Sequence, residues 1–295
     1  MQAIETTSNF SMANLKAFWT LLKPRLSLLV VLSTVLSYLY ANEAPIDWNN
    51  VFLLSFFGFL ITGAANASNQ VIEKDLDALM YRTRNRPLPS GVLSISEALV
   101  FAGILLVVGL VGIGWFFNGL AAFLSLISYA LYTFIYTPLK PKTPLSVLVG
   151  AFPGALPILV GCIAADPVFH LDYFILFAIQ FFWQFPHFWA IAWVLDEDYQ
   201  RAGFRMLPFG RQKDFSSAYY IFMYTIVTVL VSFFPSFLQL VGTWYSVVTA
   251  LAGLCFLGFA LVHLRARTDK TARALMFFTF FYLPTVQLLL ALDKL

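Results

Sequence analysis

Three oxygen-bearing side chains, Asn69, Glu73 and Asp77, recur every four residues at the end of a long apolar run. Positions four apart on an α-helix drift by only about 40° per step, so all three can line one face while Asp75 points away. Mg²⁺ prefers oxygen ligands, takes one or two carboxylates and leaves its other positions to water and substrate phosphates. The spacing therefore predicts a magnesium site on a helix.

Basic side chains follow these acids within a few residues. Arg82, Arg84 and Arg86 come next and lead into the turn sequence RPLPSG, and guanidinium groups suit phosphate oxygens. The stretch thus supplies acids for a metal and then bases for an anion. The alternative is a solvated loop whose acids and bases only pair with one another.

A second stretch, 119 residues further along, resembles the first. Asp77 aligns with Asp196, Arg82 with Arg201, Arg86 with Arg205 and RPLPSG with RMLPFG. Two such clusters at one membrane surface could hold two magnesium ions around one diphosphate, as paired metals clamp a leaving group. The match is short, so a chance similarity stays open.

Membrane helices must carry these residues. The chain is 60% hydrophobic and 11% charged, whereas a soluble globule carries about a quarter charged residues. Lipid is therefore its main solvent, and a span needs about 20 apolar residues. We predict an all-α, polytopic membrane protein, a single domain over 1–295 with an N-terminal tail over about 1–20. Its nine transmembrane helices form one bundle and cover 25–41, 51–69, 97–117, 119–137, 145–164, 171–195, 217–237, 242–264 and 273–292.

The basic residues divide unevenly across this topology. Seventeen of the 18 Lys and Arg residues fall on one side, and only Lys294 falls opposite. The positive-inside rule places the basic side in the cytoplasm. We therefore predict a multi-pass protein of the cell inner membrane, with the N-terminus and both acidic-basic loops cytoplasmic and the C-terminus outside. No nucleic-acid partner is expected.

Four segments carry a family resemblance. They are NQVIEKDLDALMYRTRNRPLPSG, YTPLKPKTPLSVLVGAFPGALPILVG, QFPHFWAIAW and DEDYQRAGFRMLP, which begin at Asn69, Tyr136, Gln184 and Asp196. They resemble the UbiA superfamily of intramembrane prenyltransferases, and within it the haem-farnesylating branch. Glu73 stands where the first family motif has Asp, and the second motif departs from the usual spacing of two Asp residues.

The resemblance implies an activity and a set of site residues. The farnesyl group of farnesyl diphosphate would pass to a vinyl group of haem b, with addition of water, to give haem O and diphosphate. Magnesium would be the cofactor and no protein nucleophile is required. The implied catalytic residues are Asn69, Glu73, Asp77 and Asp198, and the implied metal ligands are Asn69, Glu73, Asp77, Asp196 and Asp198. Whether Asp196 or Asp198 binds metal stays open. The residues expected to contact diphosphate are Lys74, Arg82, Arg84, Arg86, Lys140, Arg201 and Arg205.

His187 is the only histidine well inside a predicted span, about 12 Å along the helix from its cytoplasmic end. Polar residues inside a membrane are often functional, so we expect His187 to orient haem or to ligate its iron. The alternative is a hydrogen bond between helices. A haem A synthase or a terminal oxidase assembly is a candidate protein partner.

Two other functions compete with this one. The first is prenylation of an aromatic acceptor in quinone or chlorophyll synthesis, which would use the same acidic motifs. The second, less favoured, is a transporter. Transporters place ionisable groups near the membrane midplane, and no Asp, Glu, Lys or Arg lies deep in any predicted span.

Overall fold

The computed structural model describes residues 12–210 and 212–295. This part of the chain is helical, apart from one isolated β-bridge between Val241 and Lys294. The predicted all-α class is confirmed. The α-helices are α1 Met12–Leu21, α2 Pro24–Ala41, α3 Trp48–Ile72, α4 Lys74–Leu79, α5 Ile95–Phe116, α6 Gly119–Ala130, α7 Thr137–Leu139, α8 Ser146–Ala165, α9 Leu171–Val194, α10 Asp196–Arg201, α11 Phe215–Ser232, α12 Phe234–Phe237, α13 Thr243–Ala266 and α14 Asp269–Leu292.

Nine helical stretches in the described ranges are long and apolar enough to cross a membrane, which confirms the predicted number. They match the predicted spans to within four residues at each end. A π-helical segment, Leu131–Tyr136, joins α6 to α7 within the fourth stretch. The nine stretches are Pro24–Ala41, Trp48–Ile72, Ile95–Phe116, Gly119–Leu139, Ser146–Ala165, Leu171–Val194, Phe215–Phe237, Thr243–Ala266 and Asp269–Leu292.

Polar capping residues set several of the boundaries. Asn118 separates α5 from α6, and its side-chain oxygen accepts a hydrogen bond from the backbone N–H of Ala121. Ser94 and Glu97 form a reciprocal capping box at the start of α5. Such caps satisfy backbone donors that have no partner inside the helix, so they end a span at the membrane surface.

Helix α8 lies at the centre of the bundle and is the most buried span. It packs against α2, α6 and α9, and its glycines permit the close approach. A Cβ atom at Gly161 would lie 2.1 Å from the backbone oxygen of Thr34 on α2, and one at Gly154 would lie 2.0 Å from the Gln184 side chain on α9. Small residues bring helix backbones together in lipid, where packing rather than burial from water drives association.

Buried polar side chains link the first and ninth spans of the described ranges through the interior. Ser33 on α2 donates a hydrogen bond to the side-chain oxygen of Gln287 on α14 at 3.0 Å. Gln287 donates in turn to Gln180 on α9 at 2.6 Å, and Gln180 donates to the backbone oxygen of Gly154 on α8 at 2.8 Å. This Ser33–Gln287–Gln180 chain joins four helices.

The described part of the predicted tail contains a helix, and the remainder, residues 1–11, lies outside the described residues. Helix α1 contacts α3, and its buried Ala17 and Leu21 form a small core with Leu88 and Ala98. The chain then turns into α2 at Lys23, whose backbone is left-handed with φ of 46°. Docking of α1 therefore fixes where Lys23 lies.

Both acidic-basic segments lie at a break in a long helix. In the first, α3 ends at Ile72 and the short α4 begins at Lys74. In the second, α9 ends at Val194 and the short α10 begins at Asp196. We call the membrane side that holds both breaks the basic side, because 17 of the 18 Lys and Arg residues belong to it in a nine-span topology.

Candidate active site

A cavity of about 440 Å³ runs from the basic side into the bundle. Charged residues line one part of it and aromatic or apolar residues line the rest. The charged lining residues are Lys23, Glu73, Asp77, Arg82, Arg86 and Lys140. Polar and aromatic lining residues include Ser33, Tyr132, Tyr136, Gln180, Trp183, Gln184, His187, Tyr199 and Phe280.

The structure brings Asn69, Glu73 and Asp77 together at this cavity. Helix α3 ends just before Glu73, yet the four-residue register continues through the break. The N–H of Glu73 donates to the oxygen of Asn69 at 3.0 Å, and the N–H of Asp77 donates to the oxygen of Glu73 at 2.7 Å. All three side chains are buried, whereas Asp75 is exposed to solvent. The predicted common face is therefore present in spite of the break.

The orientation of the Asn69 amide follows from its partners. The Thr137 hydroxyl donates its one hydrogen to the backbone oxygen of Tyr132, so toward Asn69 it can only accept. The Asn69 nitrogen donates to Thr137 at 3.1 Å. Its oxygen accepts from the Lys23 ammonium at 3.1 Å. The amide oxygen consequently faces the charged part of the cavity.

Each predicted metal ligand of the first motif has a cationic neighbour. Lys140 Nζ lies 2.8 Å from a Glu73 carboxylate oxygen, and Arg86 donates to Asp77 Oδ2 at 2.7 Å. Burial, together with the charges of Arg86 and Lys140, lowers the pKa of Lys23 to about 7. Burial acts to lower the pKa of Lys140, but Glu73, together with Tyr132 and Tyr199, outweighs burial and the pKa is raised. Two buried carboxylates are thus each paired with a basic side chain.

The oxygen donors fit a magnesium ion. Asp77 Oδ1 is buried, and it has no hydrogen-bond partner within the described residues. With Glu73 and Asn69 it offers two carboxylates and an amide oxygen, which is the small donor set that Mg²⁺ accepts when water and phosphate complete its shell. No group of three or more His, Cys, Asp or Glu residues that could hold a metal occurs in ranges 12–210 and 212–295.

The second motif is arranged differently. Asp198 lies outside the cavity lining, and its two carboxylate oxygens accept from the backbone N–H groups of Tyr81 and Arg82, each at 3.1 Å. Arg201 also donates to it at 3.2 Å. Asp196 likewise does not line the cavity; it accepts from Gln200 at 2.8 Å. Burial raises the pKa of Asp196.

The seven predicted diphosphate contacts separate into two groups. Arg82, Arg86 and Lys140 line the cavity. The other four do not. Arg84 and Arg201 lie near the ring of Tyr81, with guanidinium carbons 4.9 and 3.8 Å from its centroid. Lys74 is partly buried and Arg205 is exposed.

His187 occupies the part of the cavity that lies within the bundle. Its Nδ1 atom is 2.6 Å from the Thr279 hydroxyl on α14. The ring stacks on Trp183, with centroids 4.5 Å apart and planes at 14°. The edge-on ring of Phe280 lies 4.6 Å away. His187 therefore lines the cavity and also makes the hydrogen bond between helices. Its role toward haem stays a prediction.

Sequence reasoning gave no role to several cavity residues, among them Lys23, Tyr132, Tyr136 and Tyr199. In the sequence, Lys23 is one of many basic residues near the end of a span, and such residues set the topology. Its position next to Pro24, where a span begins, is the one signal that its backbone is held in place. Tyr136 opens the YTPLK segment, and its ring lies 4.6 Å from the Lys140 ammonium. The π-helical segment, with its wider turn, carries Tyr132 and Tyr136 on the same side as Lys140.

The sequence matches one protein family and named relatives over most of its length. A sequence model of the UbiA prenyltransferase family matches residues 30–282. The chain is 45% identical to a protoheme IX farnesyltransferase of Christiangramia forsetii, over 97% of this chain and 96% of that protein. It is 40% identical to the protoheme IX farnesyltransferase of Cytophaga hutchinsonii, over 95% and 98%.

Solved structures share the fold. A digeranylgeranylglyceryl phosphate synthase superposes with a TM-score of 0.78 at 22% identity, over 96% of this chain and 99% of that chain. A UbiA homolog from Archaeoglobus fulgidus bound to GPP and Mg²⁺ superposes with a TM-score of 0.67 at 14% identity, over 92% and 99%. At these identities the likeness establishes the architecture.

Proposed function

The chain belongs to the UbiA prenyltransferase family, and on that premise we propose that it transfers the farnesyl group of farnesyl diphosphate to a vinyl group of haem b. The near full-length similarity to protoheme IX farnesyltransferases supports this assignment. In the reaction the farnesyl C–O bond breaks and the vinyl carbon forms the new C–C bond. Water adds to the cation left on the haem side chain and loses a proton, which gives haem O and diphosphate.

The two-part cavity is the observation that carries the proposal. Its charged part suits a diphosphate, and its aromatic part inside the bundle suits a prenyl chain and a porphyrin. Aromatic faces also stabilise a nearby cation, and an allylic cation forms when the C–O bond ionises. A transporter does not require this combination of a charged part and an aromatic part in one cavity.

We propose that Asn69, Glu73 and Asp77 hold a magnesium ion. When bound, the ion neutralises charge on the departing diphosphate. The oxygens of these three residues are now in contact with Lys23, Lys140 and Arg86. When a metal ion binds those oxygens, the three basic side chains become available to an anion. Asp196 and Asp198 remain candidate ligands of a second ion, which would require them to leave their present partners.

Arg82 and the three cations at the first motif then surround the diphosphate. Fixed positive groups at a place where negative charge develops are typically the largest electrostatic aid to a reaction of this kind. No nucleophile on the protein is required, because the vinyl group of haem supplies the electron pair. The remaining predicted contacts, Lys74, Arg84, Arg201 and Arg205, are proposed to attract the anion from the surface.

We further propose that the basic side is cytoplasmic and that the protein resides in the cell inner membrane. The 17-to-1 partition of Lys and Arg supports this orientation. The product is very apolar and would move through the bilayer or directly to a partner. A haem A synthase or a terminal oxidase under assembly is the proposed recipient.

The test is a reaction with purified protein, farnesyl diphosphate, haem b and Mg²⁺, read by mass spectrometry of the extracted haem. We expect haem O, with no product when EDTA replaces Mg²⁺. A 4-hydroxybenzoate acceptor is included in a parallel reaction. Prenylation of the phenol with haem unchanged would replace the proposal with an aromatic-acceptor enzyme.

A further inference from the structure

The backbone oxygen of Met276 determines whether His187 or Thr279 is the donor in the hydrogen bond between them. Thr279 Oγ1 donates to the backbone oxygen of Met276 at 2.5 Å. A hydroxyl has a single hydrogen, so toward His187 the Thr279 oxygen must accept. His187 Nδ1 therefore carries the proton in the 2.6 Å contact.

That assignment leaves the other ring nitrogen as a free base. In the neutral imidazole, a protonated Nδ1 leaves Nε2 with its lone pair. His187 lines the cavity, and Nε2 has no hydrogen bond to any residue of the described ranges. A polar atom with an available lone pair thus belongs to a residue that lines the cavity inside the bundle.

Thr279 also fixes the plane of the ring. Its backbone oxygen accepts from Trp183 Nε1 at 3.0 Å, and His187 stacks on the Trp183 ring. Thr279 consequently accepts from His187 Nδ1 and also from the Trp183 ring on which His187 stacks. Thr279 is fully buried, so water does not compete for either contact.

A second histidine–threonine pair shows what the same contact does away from the cavity. His263 Nδ1 lies 3.0 Å from the Thr271 hydroxyl. Its Nε2 atom is buried without a hydrogen-bond partner in the described ranges, and its ring meets Trp193 edge-on at 4.5 Å. His263 does not line the cavity. Of these two histidines, His187 alone combines a fixed tautomer with a place in the cavity lining.

We propose that Thr279 is a positioning residue that presents Nε2 of His187 to the iron of haem b. The inference rests on the proposed function, which supplies haem b as the acceptor substrate. Neutral imidazole nitrogen is a common axial ligand of haem iron. A hydrogen bond from the other ring nitrogen orients such a ligand and raises its basicity. Ligation would hold the porphyrin by its centre and leave the vinyl group at its edge free to react.

The test is a titration of the purified full-length protein with haem b, as ferric haemin and after reduction, followed by Soret absorbance and by EPR. We expect a histidine-ligated spectrum for the parent protein and its loss in His187→Ala. Thr279→Val keeps the shape and removes the acceptor, so we expect haem affinity to fall about 10- to 100-fold, as is typical when a supporting hydrogen bond is lost. Thr279→Ser should restore both affinity and spectrum.

Thr285→Val is the matched control. Thr285 lies on the same helix, and its hydroxyl donates to the Phe281 backbone oxygen, so the substitution tests loss of a helix hydroxyl alone. Its haem spectrum should equal that of the parent. If Thr279→Val does not fold, Thr279→Ala replaces it.

The outcomes separate this inference from the proposed function. Haem O formation together with a parent-like spectrum in His187→Ala and Thr279→Val would overturn iron ligation and leave the function standing. Failure of the parent protein to bind haem or to make haem O would overturn the function itself.

Discussion

The two acidic-basic segments of the basic side aim their carboxylates in different directions. In the first, Glu73 and Asp77 are buried and line the cavity. In the second, Asp198 accepts backbone N–H groups of the first segment, and Asp196 bonds to Gln200 on its own helix. One segment therefore supplies the carboxylates of the cavity, and the other hydrogen-bonds to the backbone of that segment.

A shift of register explains the difference. The turn glycines Gly91 and Gly210 both have positive φ, 75° and 71°, and they lie 119 residues apart, as the sequence repeat predicts. The helices ending at Ile72 and Val194, however, stop 122 residues apart. Three residues are thus missing between helix and turn in the second segment. Relative to the helix break, Tyr199 takes the place of Asp77, and both line the cavity.

The largest expected effect comes from removing charge in the first segment. Glu73→Gln or Asp77→Asn should lower turnover about 10²- to 10³-fold, because a well-placed electrostatic contact is lost. Raised magnesium should partly restore these variants if metal binding is the lesion. The measurement is haem O formation across magnesium concentrations on folded protein in detergent. Asp75→Asn, from the same segment but exposed, is the control and should stay near the parent rate.

Asp198 tests whether the second segment fastens the first. Loss of hydrogen bonds to a charged group costs about 1.5–3 kcal/mol, which corresponds to about 10- to 100-fold. Asp198→Ala should therefore lower turnover by up to that factor, and it should speed trypsin cleavage after Arg82 and Arg84 because their loop is released. Added magnesium should not help. Full rescue by magnesium, with unchanged trypsin cleavage, would make Asp198 a metal ligand and the two segments alike.

Lys23, which contacts the first segment, should make anion binding there depend on pH. Its pKa is lowered to about 7 in the substrate-free protein, so it is protonated below pH 7 and neutral above it. A diphosphate attracts the protonated form. Binding of inorganic pyrophosphate in EDTA should therefore weaken as pH rises through 7, by up to about tenfold per pH unit for one coupled proton.

Lys23→Arg provides the matched control, because an arginine stays protonated over this range. It also corrects for the titration of pyrophosphate itself. The measurement is calorimetry between pH 6 and 8.5, and the difference between the two proteins is the quantity of interest. Parallel pH profiles would show that Lys23 does not contact the anion.

The smallest effect is expected for the basic residue of the second segment that aligns with Arg86. Arg205 is exposed and has no ion pair within the described ranges. Arg205→Gln should change turnover by about twofold at most, since surface substitutions typically alter free energies by about 0.5 kcal/mol. Asp75→Asn, also exposed, should be similarly mild. An effect of Asp75→Asn larger than that of Glu73→Gln would reverse the ligand assignment.

The sequence was sufficient for the architecture because lipid imposes a simple rule. Every span needs about 20 apolar residues, and the charged loops between spans are easily seen. The spacing of Asn69, Glu73 and Asp77 was equally informative, since the four-residue backbone contacts persist across the helix break.

The partners of individual side chains could not be predicted in the same way. The contact of Asp198 with Tyr81 and Arg82 joins residues more than 100 positions apart, and it depends on a three-residue difference that the aligned motifs conceal. Lys23 reaches Asn69 only because α1 docks and the backbone turns at that lysine. Thr279 carried no motif at all. Its proposed role rests on the two hydrogen bonds that its hydroxyl makes.

The Ser33–Gln287–Gln180 chain has a consequence for biosynthesis. Gln287 belongs to the ninth span of the described ranges, which is made after the first span, to which Ser33 belongs. Until α14 inserts, the Gln180 amide lacks the donor that meets its oxygen in the finished bundle, and polar groups facing lipid are unfavourable. A nascent chain that stops before α14 therefore keeps an amide oxygen without this donor inside the membrane.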